Sequence, residues 1–301
     1  MSMRSHLLGL QAALWTEFCE KKEDVDYLLY PRLAAVSEAA WSSPMAKRWE
    51  RFVMMLDDYR EKWEMKGVRS SMSEYNVKHE VMPSFGDLKV TLSCIRPDVE
   101  IRYTTDGSEP HEYSMLYRRP WVVKQSQTVK GATFKEGKQV GQTLVVPIQV
   151  TGITGHNVLR SNSVERRLVN GVRGSLKNTD GEWAFWKEND SISVTFDVGS
   201  RKRLGCVSLG YLNDFGLGIH KPQKVEVWLS DNDMHYWKVA EQTFDRDDVF
   251  AEGRFTKEMK FTFEDVARYV CVMMKGVGKC PEYHVRPGLE AQIYLDEVLI
   301  E

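Results

Sequence analysis

The chain has 301 residues, a net charge of −2 and 42% hydrophobic residues. That length predicts two or three domains with sizeable cores. With 41 basic and 43 acidic residues, no broad basic face is implied, which argues against nucleic acid as a partner.

The cysteines Cys19, Cys94, Cys206, Cys271 and Cys280 are scattered and form no CxxC pair. A zinc site or a disulfide framework is therefore not expected. Cys206 and Cys271 lie in apolar runs and read as buried thiols. No segment has the apolar length of a membrane span, and residues 1–6 do not open a signal peptide.

Residues 1–70 read as one short strand followed by two helices. Val25, Leu28, Leu33, Val36 and Ala40 recur at helical spacing, and Pro31 inside that stripe should end or kink the first turns. Ser43 and Pro44 read as an N-cap and a first helical residue. Trp49, Phe52, Val53, Leu56, Tyr59 and Trp63 then share one helix face, and Gly67 supplies a stop.

From 76 to 150 the period changes to two. Val90 and Leu92 alternate with polar neighbours, as do Ile101, Tyr103 and Thr105, and Asp106-Gly107 is a tight-turn signal. This predicts a small β-sandwich. Gly152, Gly155, His156 and Asn157 suggest a linker. Strand patterns resume over 156–301, with Val194, Phe196 and Val198, then Val225, Val227 and Leu229, then Met259 and Phe261, and a final apolar run over 293–300. This predicts a second, larger sandwich. The fold class expected is mainly β, with two sandwiches after a short helical segment.

Trp15 and Glu17 are two apart and would share one face of a strand. Taken alone, they read as a core residue and a solvated charge. The full string is Gly9-Leu10-Gln11-Ala12-Ala13-Leu14-Trp15-Thr16-Glu17, then Tyr30-Pro31-Arg32-Leu33, then Ser37-Glu38-Ala39-Ala40-Trp41. Over about residues 7–66 it resembles the end of the catalytic (β/α)8 barrel of family 20 glycoside hydrolases, the exo-acting β-N-acetylhexosaminidases. The resemblance implies that Trp15 stacks on a terminal N-acetylhexosamine and that Glu17 binds its hydroxyls. It also implies an acid–base Asp-Glu pair on an earlier barrel strand, and a substrate-assisted retaining mechanism. Asp296-Glu297 cannot be that pair, because it lies in the last strand of another domain. No catalytic residue is therefore expected in this chain, which alone should be inactive.

Ile101 to Pro110, with Tyr117 and Pro120, resembles the fibronectin-like domain that follows the barrel in bacterial hexosaminidases. Over about 160–301, Leu168-Val169-Asn170-Gly171, Asp180-Gly181-Glu182-Trp183 and Leu295-Asp296-Glu297-Val298 resemble a discoidin-type (coagulation factor 5/8 C) jelly roll. That resemblance implies sugar-binding loops, with Trp183, Trp186, Tyr211, Asn213, Asp214, His220 and Tyr283 as candidates. Trp183 and Trp186 also read as plugs of the sandwich end, and His220 and His284 as lone histidines. It further implies a structural calcium held by Asn170 and Glu297, although Asn170 stands where an acidic residue is usual. The competing reading is a simple turn and a solvated strand residue, and no cofactor is required.

The partners expected for the parent enzyme are glycans ending in N-acetylhexosamine, at a periplasmic, outer-membrane or secreted location. Self-association through the exposed barrel remnant is also expected. The alternative is a stand-alone carbohydrate-binding or purely structural protein.

Overall fold

A computed structural model describes residues 9–17, 19–156, 158–159, 165–187 and 191–301. Asn157, part of the expected linker, lies outside the described residues. The fold is mainly β, as expected, with helices gathered at the front.

Pro31 divides the first helical stripe into α1 (Lys22–Leu29) and α2 (Arg32–Trp41). Pro44 opens only a three-residue 3-10 turn (Pro44–Ala46), and α3 (Trp49–Met65) starts after Arg48. The proline thus ends the preceding loop rather than starting the long helix. Gly67 does stop α3. Its φ of +68° lets Val68 N–H reach back to Trp63 O at 2.9 Å.

The expected strand around Trp15 is absent, since residues 9–17 join no ladder among the described residues. A strand pairs its backbone polar groups with neighbouring strands, and among the described residues none pairs with this segment.

The first sandwich packs two sheets face to face. One joins β1 (Lys78–Ser84), β2 (Asp87–Ser93) and β5 (Trp121–Val123). The other runs β4 (Met115–Leu116), β3 (Glu100–Thr104), β6 (Gln127–Lys135) and β7 (Lys138–Gln139), with β8 (Leu144–Ile148) also on β6. The alternating residues Val81, Leu88, Val90, Leu92, Val129, Val146 and Ile148 fill its core.

The helices dock on this sandwich through one buried cation. Arg96 has a fully covered side chain, yet it makes hydrogen bonds to Val53 O (2.8 Å), Asp57 (2.8 Å) and Asp98 (2.6 Å). Its guanidinium also lies 4.4 Å from the Tyr75 ring centre. Lys135 from β6 bonds the same two carboxylates. Burial works to raise the Asp57 pKa, but the donors Arg96, Lys135 and Tyr75 outweigh it and hold Asp57 below its ordinary value. Phe52, Val53 and Leu56 provide the apolar part of the helical layer.

The second sandwich is built on two long strands, β11 (Ile192–Asp214) and β14 (Arg254–Lys275), which pair along almost their whole length. Their register shifts between Asp197 and Lys202 and again between Leu204 and Cys206. These irregularities bend the strands so that both halves face one core containing Val194, Phe196, Leu209, Val227, Val270 and Leu295. Around them lie β9 (Val158–Leu159), β10 (Ala184–Trp186), β12 (Lys224–Ser230), β13 (Trp237–Thr243) and β15 (Ile293–Ile300). Among the described residues no helix is long and apolar enough to cross a membrane.

Candidate functional site

The expected linker is packed rather than free. Ile153 and Thr154 are buried, and Gly155 adopts φ +80° with its α-carbon against the β1–β2 hairpin. A β-carbon there would lie 2.8 Å from Gly86 O, so both the dihedral and the space require glycine.

The segment from Asn170 to Gly174 straps the two sandwiches together. Gly171 O accepts from Gln149 N–H at 2.8 Å, and Val172 enters the core of the first sandwich. On the other side, Gly171 N–H donates to Glu297 Oε2 at 2.9 Å, and Gly174 N–H donates to Asp296 Oδ2 at 3.0 Å. Arg173 bridges Asp296 and Glu258.

Asp296 and Glu297 are therefore anchors of a strap, each facing a different backbone donor. Burial pushes the pKa of both upward, far more for Glu297, while Arg173 opposes the shift at Asp296. Glu297 is 1% exposed, which overturns its reading as a solvated strand residue.

The calcium expectation meets a donor set already engaged. Asn170 Oδ1 accepts from Val172 N–H, and its Nδ2 donates to Glu182. Glu297 spends one oxygen on Gly171 N–H and the other on the Thr154 hydroxyl at 3.5 Å. Calcium takes about 6–8 oxygens. As arranged, these side chains do not fit it.

Burial also separates the sugar candidates. Trp183, Tyr211, Asp214 and His220 are all under 9% exposed, and so is Asn213. Trp183 plugs the sandwich end, with Gly174 pressed on its ring and its Nε1–H donating to Ser175 O and Lys177 O. Asp214 caps the following 3-10 turn and pairs with Arg254. Asn213 donates to Ala251 O and Gly253 O. Trp183, Asp214 and Asn213 thus bond inward, where a bound sugar would need them facing solvent. Trp186 is half-buried against the core, and Tyr283 alone of the set is open, at 64%. Trp15 is 77% exposed and Glu17 is exposed in a turn.

One grouping went unread in the sequence. His220, Cys280 and His284 converge, with His220 Nε2 and His284 Nε2 3.2 Å apart. Burial lowers both histidines and takes His220 down to about 4, with His284 adding to the shift, so both rings are neutral near pH 7. The Cys280–His284 spacing of four was the available signal. It was weak without His220, which arrives from a distant loop.

Two family descriptions match the chain. Residues 1–44 match "Glycosyl hydrolase family 20, catalytic domain", and residues 84–145 match "Chitobiase/beta-hexosaminidase C-terminal domain". Over these two stretches the chain is similar to family 20 hexosaminidases.

A beta-hexosaminidase of Porphyromonas gingivalis is 31% identical over 140 residues, covering 44% of this chain and 17% of that relative. A beta-N-acetylhexosaminidase of Cellulomonas fimi is 35% identical over 63 residues, covering 21% of this chain and 13% of the relative. The chain thus spans less than a fifth of the length of either hexosaminidase. Among solved structures, the C-terminal domain of a chitobiase from Bacteroides fragilis covers 45% of this chain and 77% of its own, at 14% identity and a TM-score of 0.27.

Proposed function

We propose that this chain is the accessory region of an exo-acting β-N-acetylhexosaminidase, and that alone it is inactive. The observation that carries this reading is the chain order of the two matches, catalytic-domain sequence over 1–44 and C-terminal-domain sequence over 84–145. The Arg96 latch gives the order a physical meaning, since it fixes α3 of the helical segment to the first sandwich.

In this reading Trp15 and Glu17 supply one wall of a sugar site, the indole stacking on the pyranose and the carboxylate accepting from its hydroxyls. The substrates are glycans ending in N-acetylhexosamine, cleaved in the cell envelope or outside the cell. The acid and its partner carboxylate lie on other strands of the barrel.

The test is hydrolysis of p-nitrophenyl N-acetyl-β-glucosaminide. Residues 1–301 alone should give no turnover. A longer polypeptide in which they follow a catalytic Asp-Glu pair should turn over, and Trp15→Ala should cut its kcat/KM about 100-fold. Turnover by the chain alone, or indifference of the longer enzyme to Trp15→Ala, would remove the reading.

For the second sandwich we favour a structural role over sugar binding, because burial withdraws Trp183, Tyr211, Asp214 and His220 from solvent. We further propose that the strap is held by protein hydrogen bonds without calcium.

A further inference from the structure

His220, Cys280 and His284 offer three ligand atoms within 4.8 Å of one another. All three residues are buried, at 1%, 4% and 3% exposure. Their backbones are pinned from separate directions. His220 N–H donates to Gln292 O, Cys280 N–H to Leu289 O, and His284 N–H to Pro281 O. The Phe215 and Phe250 rings close round the imidazoles, 4.1 Å from His284 and 4.9 Å from His220.

The 3.2 Å between the two Nε2 atoms is close to the edge of a tetrahedron around an ion held at about 2.0–2.1 Å from each nitrogen. The Cys280 sulfur needs only a small inward movement to complete a third corner. Two neutral imidazoles and one thiolate form a borderline-to-soft donor set, suited to a closed-shell d10 cation and poorly suited to calcium or magnesium.

Without an ion, the protons of this cluster are poorly placed. Arg286 N–H donates to His284 Nδ1 at 2.9 Å, so the His284 proton sits on Nε2 and points at His220 Nε2. The His220 proton is then placed on Nδ1, which is buried and makes no hydrogen bond of good geometry, only a weaker approach to the Val249 backbone. Asp214, whose charge acts on His220, is already committed to Leu217 N–H and Arg254.

We propose that His220 Nε2, Cys280 Sγ and His284 Nε2 bind one d10 metal ion, Zn2+ or Cu+, at this end of the second sandwich. Binding releases the Cys280 thiol proton and moves the His284 proton from Nε2 to Nδ1. The Arg286 N–H then loses its acceptor, so loading should be felt at that amide.

The experiment uses the full chain, stripped with a chelator and titrated with Zn2+, with Co2+ as a spectroscopic stand-in and Cu+ in a separate anaerobic arm. Wild type should retain one equivalent of Zn2+ through gel filtration. Co2+ should give tetrahedral d–d bands and a thiolate charge-transfer band, and amide exchange at Arg286 should accelerate on loading. Cys280→Ala and His284→Gln should each weaken binding at least tenfold, and Cys94→Ala should change nothing. If Cu+ binds as one equivalent and Zn2+ does not, the site stands with copper as its ion. Neither ion binding at micromolar concentration would overturn the proposal, as would unchanged affinity in a folded Cys280→Ala. If that variant fails to fold, the wild-type cobalt band and His284→Gln decide.

Discussion

Glu297 Oε2 and Gly171 N–H meet at 2.9 Å across the junction of the two sandwiches. The carboxyl is buried and its pKa lies well above the ordinary 4.5, chiefly through loss of water. A group raised on folding binds more protons in the folded state, so its contribution to stability is complete below about pH 4.5 and is lost as pH rises towards the folded value. Glu297→Gln keeps the shape and removes the titration. Its melting temperature relative to wild type should therefore climb as pH rises above about 4.5, read by circular dichroism. Glu297→Ala should cost about 1–3 kcal/mol in acid, because it strands the Gly171 donor, and the cost should shrink as pH rises, since it removes the same titration.

Arg96→Met tests the latch between helices and sandwich. It removes the donor for Val53 O and leaves Asp57 and Asp98 without their central cation. Both carboxylates keep over a quarter of their side-chain exposure, so solvent screens part of the loss. A cost of about 2–3 kcal/mol is expected, with earlier melting of the Trp49 and Trp63 fluorescence than of the sheet signal. In wild type the same contacts should fail in acid. The Arg96 hydrogen bonds hold Asp98 far below its ordinary pKa, so its stabilisation is present above about pH 4 and lost as pH falls further.

The periodicities made the sheet regions legible, because alternation at Val90 and Leu92 or at Val194 and Phe196 reports directly which face is buried. The strap was not legible. Asn170-Gly171 reads as a turn in isolation, and nothing local shows that Val172 enters a neighbouring core or that Glu297 receives its amide. The burial of the sugar candidates was not legible for a related reason. Aromatic and polar residues near loops look alike in sequence whether they face solvent or bond inward. Trp183 and Asp214 do the latter, so only Tyr283 keeps an exposed face.

Gly174→Ala should destabilise by about 1–3 kcal/mol through overpacking, since a β-carbon would fall 2.3 Å from the Trp183 ring. Thermal melting measures this. Titration with N-acetylglucosamine separates plug from lectin. Trp183→Phe should leave any affinity unchanged, whereas Tyr283→Ala should remove whatever weak binding exists.

Calcium should leave the melting temperature where it is, and so should its chelation. A rise with millimolar Ca2+ that disappears in Glu297→Gln would show that the ion displaces the Gly171 and Thr154 donors after all.

Val172 follows the apparent boundary in sequence yet packs in the core before it. Cutting the chain at the glycine-rich stretch would strip the first sandwich of a core residue and leave the second with a dangling apolar arm. The two sandwiches are therefore expected to travel through gene recombination as a single cassette. Insertions would be better tolerated at the hairpin tip, where Phe85 stands clear of the protein surface.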